Sequence, residues 1–218
     1  LYASLFLVID LGLPTLLARD GTRAPSLVPA AVWRTYRWQA LAALPFVFLA
    51  LAARPEAWLN VEAPATLLLL AALIALVHVA SYAPRSGLRV LGEARLEALT
   101  KVAERGVTVV AYGVLVWQGS TSATAFTAAF LGGAITGWAL ALWWLLRVAP
   151  PAQRVDWGRL GEAWVTPRAL MMSALPFAIT LGILPYVIRI EKFMVAASGD
   201  ATLGAVFHVA QLAWLAGL

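Results

Sequence analysis

The sequence contains no cysteine, so disulfides, thiolate catalysis and cysteine-bound zinc are excluded. Its two histidines, His78 and His208, stand alone in separate apolar stretches and make no recognisable metal site. Charge is scarce as well, since 12% of the 218 residues are charged and 62% are hydrophobic. Soluble domains average about 25% charged and about 45–50% apolar residues. The composition therefore predicts a membrane protein, as do the 10 tryptophans, because indole rings favour the membrane interface.

Motifs of enzymes are missing too. The sequence has no GxSxG, no P-loop, no HExxH and no GxGxxG after a strand. We therefore expect neither an enzyme nor a bound cofactor. The alternative is a membrane-embedded polymerase or transferase that acts on lipid-linked sugars. Such enzymes usually place their catalytic residues in a large loop, whereas the loops predicted here on the outer side of the membrane are short. If the protein were a membrane scaffold without transport activity, the charged residues inside the apolar runs would have no function.

Long apolar runs fill the chain instead. A transmembrane helix needs about 20 mostly apolar residues, and seven candidate segments are found at 1–18, 38–53, 64–83, 102–118, 122–146, 169–197 and 201–218. The fourth follows a charged helical stretch, which predicts one helix that starts in water and then enters the membrane; a soluble hairpin is the alternative. The chain begins and ends inside apolar runs, which indicates a piece of a longer protein. We predict an all-α, polytopic integral membrane protein built as a helical bundle.

The basic residues alternate along the chain. Of the 16 lysines and arginines, 13 fall in three alternate loops or at their helix ends: Arg19, Arg23, Arg34 and Arg37, then Arg85, Arg89, Arg95, Lys101 and Arg105, then Arg147, Arg154, Arg159 and Arg168. The intervening loops carry Arg54 alone or none. This positive-inside pattern predicts that the three basic loops lie in the cytoplasm. A nucleic-acid partner is not expected, because such proteins cluster basic residues on one face of one domain.

Two local patterns predict packing. Trp157, Leu160 and Trp164 form a short apolar stripe in the loop 148–167, suited either to the membrane surface or to an ordinary surface helix. We interpret this loop as the boundary between two halves of the protein. The GxxxG at 133–137 favours close helix packing within the bundle, because small residues let neighbouring helices approach.

Polar residues inside apolar segments are the candidate site residues. A charge at membrane depth costs about 2.5–3.5 kcal/mol on insertion scales, so it usually faces a cavity or a partner. Asp10 either lines an aqueous cavity or bonds a neighbouring helix. Arg19, beside Asp20, either contacts substrate or marks the cytoplasmic helix end.

The sixth segment carries the remaining candidates, Arg189, Glu191 and Lys192. Pro176 and Pro185 allow this segment to kink, and a broken, charged helix is a common site feature in transporters. The alternative is that the three charged side chains snorkel to water at the outer surface. The two lone histidines are more often packed residues than ligands.

Three stretches resemble one known family. "IDLGLPTLLARDGTRAP" (9–25) is similar to the second helix of Wzx-type polysaccharide flippases, through Asp10, Gly12, Leu13 and Arg19. Residues 87–147 are similar to the region around their fifth and sixth helices. Residues 174–217 are similar to their seventh and eighth helices, through Leu175, Pro176, Phe177, Glu191 and Gly204, although the acid is usually Asp and a Tyr is usual near Phe207.

The resemblance implies a partial two-lobe fold of the MATE type, within the superfamily that includes lipid II flippases and drug antiporters. Residues 1–147 would be first-lobe helices without the first helix, 148–167 the cytoplasmic inter-lobe loop, and 168–218 the start of the second lobe. The implied function is the flipping of a lipid-linked saccharide across the bacterial cytoplasmic membrane by alternating access. Implied partners are a polyprenyl-pyrophosphate-linked saccharide and membrane lipid, with a polysaccharide polymerase and glycosyltransferases as candidate protein partners. A cation-coupled drug or metabolite antiporter is the alternative.

Overall fold

Every regular element in the described part of the chain is helical. The structure, a computed structural model, describes residues 9–52, 65–151 and 155–188. Its α-helices are α1 (Leu13–Asp20), α2 (Val28–Ala52), α3 (Ala65–Val90), α4 (Ala94–Trp117), α5 (Ala123–Val148) and α6 (Pro167–Ile188). Short 3-10 turns lie at Gly21–Arg23, Pro25–Leu27, Trp157–Arg159 and Glu162–Trp164. The all-α prediction is confirmed for these residues.

Among the described residues, two helices are long and apolar enough to cross a membrane. They cover Thr66–Val90 and Ala123–Val148 and correspond to the third and fifth predicted segments. In their most apolar windows, 17% and 28% of the residues are buried inside the protein. The core helix of a soluble protein would be largely covered, so most of this apolar surface has no cover from the described bundle.

Helix α4 confirms the prediction of one continuous helix through a charged and an apolar half. Its burial is the reverse of that of a soluble helix. The residues it buries are all polar: Glu97, Thr100, Glu104 and Thr108. Its valines face outward instead, with Val102, Val109, Val110 and Val116 each between 66% and 68% exposed. A surface helix in water normally buries its apolar stripe and exposes its polar face.

Helix α5 packs along both α3 and α4, and α3 also contacts α1 and α2. The predicted close approach at the GxxxG is confirmed, because Gly133 and Gly137 lie directly against α4. A Cβ atom built on Gly137 would lie 2.9 Å from the Glu104 Cβ. One built on Gly133 would lie 2.7 Å from the Glu104 carbonyl oxygen.

The loop that follows α5 joins the main core. Leu160 and Trp164 are completely buried there, among apolar side chains of α1, α2, α3, α5 and α6. The predicted stripe therefore packs into protein, on two 3-10 turns, and neither the membrane-surface helix nor the ordinary surface helix is found. The spacing of these residues predicted an apolar face, and the structure shows that the protein core covers this face.

The chain divides into two units, residues 1–178 and 179–218. The first unit holds the core and all the contacts described below. The described residues of the second unit are 179–188, the last part of α6. The predicted lobe boundary at 148–167 stays a prediction.

Candidate functional site

The first predicted segment is broken in its middle. Ile9 and Asp10 are helical, Leu11 and Gly12 form a turn, and α1 begins at Leu13. Leu11 and Gly12 both have positive φ angles, 55° and 67°, a conformation that glycine adopts far more easily than leucine. Gly12 also lies against the backbone of α6, so that a Cβ atom there would be 2.6 Å from the amide nitrogen of Ala178.

Asp10 lies at this break and is 4% exposed. Its Oδ1 atom is buried and has no hydrogen-bond partner among the described residues. A buried polar group left without a partner costs about 1–3 kcal/mol, and more if it is charged. The neighbouring-helix bond that sequence reasoning offered as one explanation of Asp10 is therefore not found for this oxygen. Discontinuous helices with exposed polar groups form binding sites in membrane transporters.

A cationic cluster lies at the other end of α1. The Arg19 guanidinium donates two hydrogen bonds to the carboxylate of Asp20, with distances of 2.8 and 2.9 Å. Arg23 lies 3.5 Å from the same carboxylate. Asp20 is completely buried, whereas the Arg19 side chain is 49% exposed. Two guanidiniums around one carboxylate leave a net positive charge at the surface, which suits an anionic ligand.

The same carboxylate holds the loop after α5. The Trp164 indole N–H donates to Asp20 Oδ2 at 3.1 Å. Arg34 donates to the Trp164 carbonyl oxygen at 2.6 Å, and its guanidinium lies 4.5 Å from the centre of the Trp157 ring. Two predicted cytoplasmic loops are thus joined by charged hydrogen bonds and a cation–π contact. Asp20 therefore holds the loop as well as pairing with Arg19.

A second polar cluster connects α3 to α4. The Arg85 guanidinium donates to Glu104 Oε2 at 2.5 Å and to Thr100 Oγ1 at 3.1 Å. His78 Nε2 lies 3.3 Å from Glu104 Oε1. The side chains of Arg85 and Glu104 are 9% and 5% exposed, so this ion pair is buried. A buried pair is retained when further hydrogen bonds satisfy its remaining atoms, as Thr100 and His78 do here.

One turn away along α3, a third cluster is more exposed. Arg89 donates to both oxygens of Glu97, at 3.0 and 2.5 Å, and Lys101 lies 3.1 Å from Glu97. The predicted pair between Glu97 and Lys101, four residues apart on one helix, is thereby confirmed. The Arg89 hydrogen bonds lower the pKa of the Glu97 carboxyl below its usual value, and burial opposes this effect.

The structure brings together a different set of charged residues from the one that the sequence predicted. Asp10 and Arg19 lie near the two ends of the stretch 10–20, and Arg189, Glu191 and Lys192 lie outside the described residues. Sequence reasoning missed the pair of Arg85 and Glu104. A signal was present, because Glu104 falls inside the fourth apolar segment, and a carboxylate there needs a partner.

No protein family, curated protein or solved structure matches this chain. The resemblance drawn from the sequence stays an expectation.

Proposed function

We propose that the chain belongs to a multi-pass membrane transporter. The observation that carries this proposal is the reversed burial of α4, which turns its polar residues inward and its valines outward. In water this arrangement would expose apolar surface at a large cost, whereas in lipid it lets the outer face meet acyl chains and the inner face satisfy its polar groups. The weakly covered apolar surfaces of α3 and α5 support the same proposal.

The charge distribution supports an orientation. Arg23 and Arg34 contact the loop after α5, which is itself basic in sequence. Arg19 lies in the same helix–loop region and is paired with Asp20. Because basic loops stay in the cytoplasm, we place this end inside and the α4–α5 turn outside. The proposed location is the bacterial cytoplasmic membrane.

The proposed activity is the flipping of a polyprenyl-pyrophosphate-linked saccharide by alternating access. The half-exposed Arg19 guanidinium, in a cluster of net positive charge, is suited to the pyrophosphate. Arg189 and Lys192 are proposed from sequence as the cationic groups of a second half. Asp10 and Glu191 would balance this charge in the empty state or bind a coupling ion.

Export of surface polysaccharide tests this activity. The full-length protein is expressed in a bacterium that supplies the saccharide but lacks its own flippase, and polysaccharide is measured on the cell surface. We expect Arg19→Ala combined with Arg189→Ala to lower export at least about tenfold, since charged hydrogen bonds are worth about 1.5–3 kcal/mol each. If the double variant exports polysaccharide at the level of the unchanged protein, neither arginine belongs to the substrate site.

The matched control is Arg95→Ala, which removes an exposed positive charge at the start of α4. We expect this variant to export normally. Protein level in the membrane fraction is measured for every variant, so that loss of export is scored against equal amounts of protein. Failure of the unchanged protein to export any lipid-linked saccharide, at normal membrane levels, contradicts the flippase proposal itself.

One observation favours a second candidate, a cation-coupled drug or metabolite antiporter. The unpartnered Oδ1 of Asp10, at a helix break, is the kind of group that binds a cation. Resistance to cationic drugs, measured with the unchanged protein and with Asp10→Asn, separates the two. Resistance that depends on Asp10, without any effect on polysaccharide, favours the antiporter.

A further inference from the structure

Arg105 lies halfway along α4. It is the twelfth of the 24 residues of this helix, so that it stands about 17 Å from either helix end at a rise of about 1.5 Å per residue. The packing of α5 agrees, because Gly133 and Gly137, near the middle of that helix, lie against Glu104. Since the hydrocarbon core of a bilayer is about 30 Å thick, helices that span it place Arg105 near the midplane.

The Arg105 side chain is exposed, in contrast to the polar residues that α4 turns inward. Val102 and Val109 lie three and four residues away on the same side of the helix and are 66% and 68% exposed. The Arg105 guanidinium lies 5.8 Å from the centre of the Phe130 ring on α5. Valines can meet acyl chains, but a charge at membrane depth is costly unless water or a charged partner reaches it. Arg105 therefore needs a cover other than lipid.

No carboxylate of the described residues supplies this cover. Glu97 and Glu104, the buried acids of α4, are paired with other cations. Arg147 has similar surroundings, because its guanidinium lies 4.8 Å from the centre of the Trp143 ring. That arginine is the last residue but one of α5, where a long side chain reaches the membrane interface. Arg105 differs from it in lying at depth.

We propose that Arg105 binds the phosphate group of a lipid-linked substrate, in a water-accessible recess along the seam between α4 and α5. A guanidinium is weakly hydrated and holds its N–H donors in a planar fork that matches phosphate oxygens. Substrate sites of transporters commonly lie near the bilayer midplane. The inference rests on the proposed transport function, and it adds a binding position at the depth where a substrate changes sides.

Cysteine accessibility in lipid nanodiscs tests the recess. Arg105→Cys is compared with Gly106→Cys, one residue away and in line with the exposed Val110, in the full-length protein without other cysteines. The reagent is a negatively charged methanethiosulfonate. We expect Arg105→Cys to react at least about tenfold faster, because a thiol in apolar surroundings stays protonated and inert. Equally slow reaction at both positions overturns the recess.

Ligand binding tests the guanidinium itself. The probe is farnesyl pyrophosphate, and its Kd for the purified full-length protein is measured by tryptophan fluorescence. We expect Arg105→Gln to raise the Kd at least about tenfold, because charge-assisted hydrogen bonds are lost. Arg105→Lys keeps the charge without the planar fork and should raise the Kd less. The matched control, Arg147→Gln, should bind like the unchanged protein.

Three results overturn the proposal: no binding of farnesyl pyrophosphate, an unchanged Kd for Arg105→Gln, or equally tight binding of farnesoic acid, a matched carboxylate. Inorganic pyrophosphate that binds as tightly as farnesyl pyrophosphate overturns the lipid-linked source. The assay is independent of export. Binding that depends on Arg105 in a protein that exports no saccharide contradicts the flippase activity, whereas the phosphate site stands. Normal export by Arg105→Gln with an unchanged Kd removes Arg105 and leaves the flippase proposal.

Discussion

Two adjacent glycines on α5 provide a sharp test of the packing between α4 and α5. A Cβ atom on Gly133 would lie 2.7 Å from the Glu104 carbonyl oxygen and closer still to the Thr108 hydroxyl. A Cβ atom on the neighbouring Gly132 meets no atom within 4 Å. The substitutions Gly133→Ala and Gly132→Ala are therefore chemically identical and one residue apart, but only the first adds an atom inside the helix interface.

Both substitutions gain helix propensity, about 1 kcal/mol for Gly to Ala in a helix interior. Gly132→Ala keeps this gain and should be stabilised by about 0.5–1 kcal/mol. Gly133→Ala also meets an overpacking cost of about 1–3 kcal/mol, because the atoms that must move include a backbone oxygen of α4 as well as the Thr108 hydroxyl. We therefore expect the two variants to differ by about 1–3 kcal/mol, with Gly133→Ala the less stable.

Thermal denaturation of the purified protein in detergent, followed by tryptophan fluorescence, measures the difference. For a chain of this size, about 2–4 °C per kcal/mol is typical, so the midpoints should differ by roughly 2–12 °C. Gly133→Val should be worse than Gly133→Ala. Equal midpoints for the two alanine variants would refute the close approach of α5 to α4.

Three further predictions concern the polar clusters and the loop. Glu104→Leu leaves the buried Arg85 charge without its partner and should lower the free energy of unfolding by about 3–5 kcal/mol. Adding Arg85→Met should restore most of the melting temperature. A double variant no more stable than the single one contradicts the pairing. Trp164→Phe removes the hydrogen bond to Asp20, and limited proteolysis should cut the surrounding loop faster; an unchanged rate counts against this bond. Because the pKa of Glu97 is lowered on folding, its stabilisation is present above the unfolded pKa and is lost as pH falls through the folded pKa. Glu97→Gln should therefore lower the melting temperature at pH 7 and have little effect at strongly acidic pH. If the variant still melts at a lower temperature than the unchanged protein in acid, this linkage is contradicted.

The long helices were predictable because each rests on a local pattern. The runs 64–83 and 122–146 are apolar over the length of a helix, and the structure has α3 and α5 there. The GxxxG at 133–137 gave the packed face of α5 correctly. Glu97 and Lys101 were found because their spacing places them on one helix face.

Features that depend on distant partners were not predictable. Glu104 lies inside an apolar segment, which indicates that it needs a partner, but Arg85 is 19 residues away on another helix and no local spacing identifies it. Periodicity showed that Trp164 belongs to an apolar stripe, but it does not say whether lipid or protein covers that stripe. The break after Asp10 involves a leucine with positive φ, and the adjacent Gly12 packs against the backbone of α6.

The most direct test of the membrane-spanning account uses the absence of cysteine. Ala94 and Thr121 are exposed residues near opposite ends of α4, and each is replaced by cysteine in the otherwise cysteine-free protein. An impermeant maleimide is applied to intact cells. We predict that Thr121→Cys is labelled from outside and that Ala94→Cys reacts once the membrane is permeabilised. Labelling of both positions in intact cells, or of Ala94→Cys alone, would contradict a helix that crosses the membrane with its basic end inside.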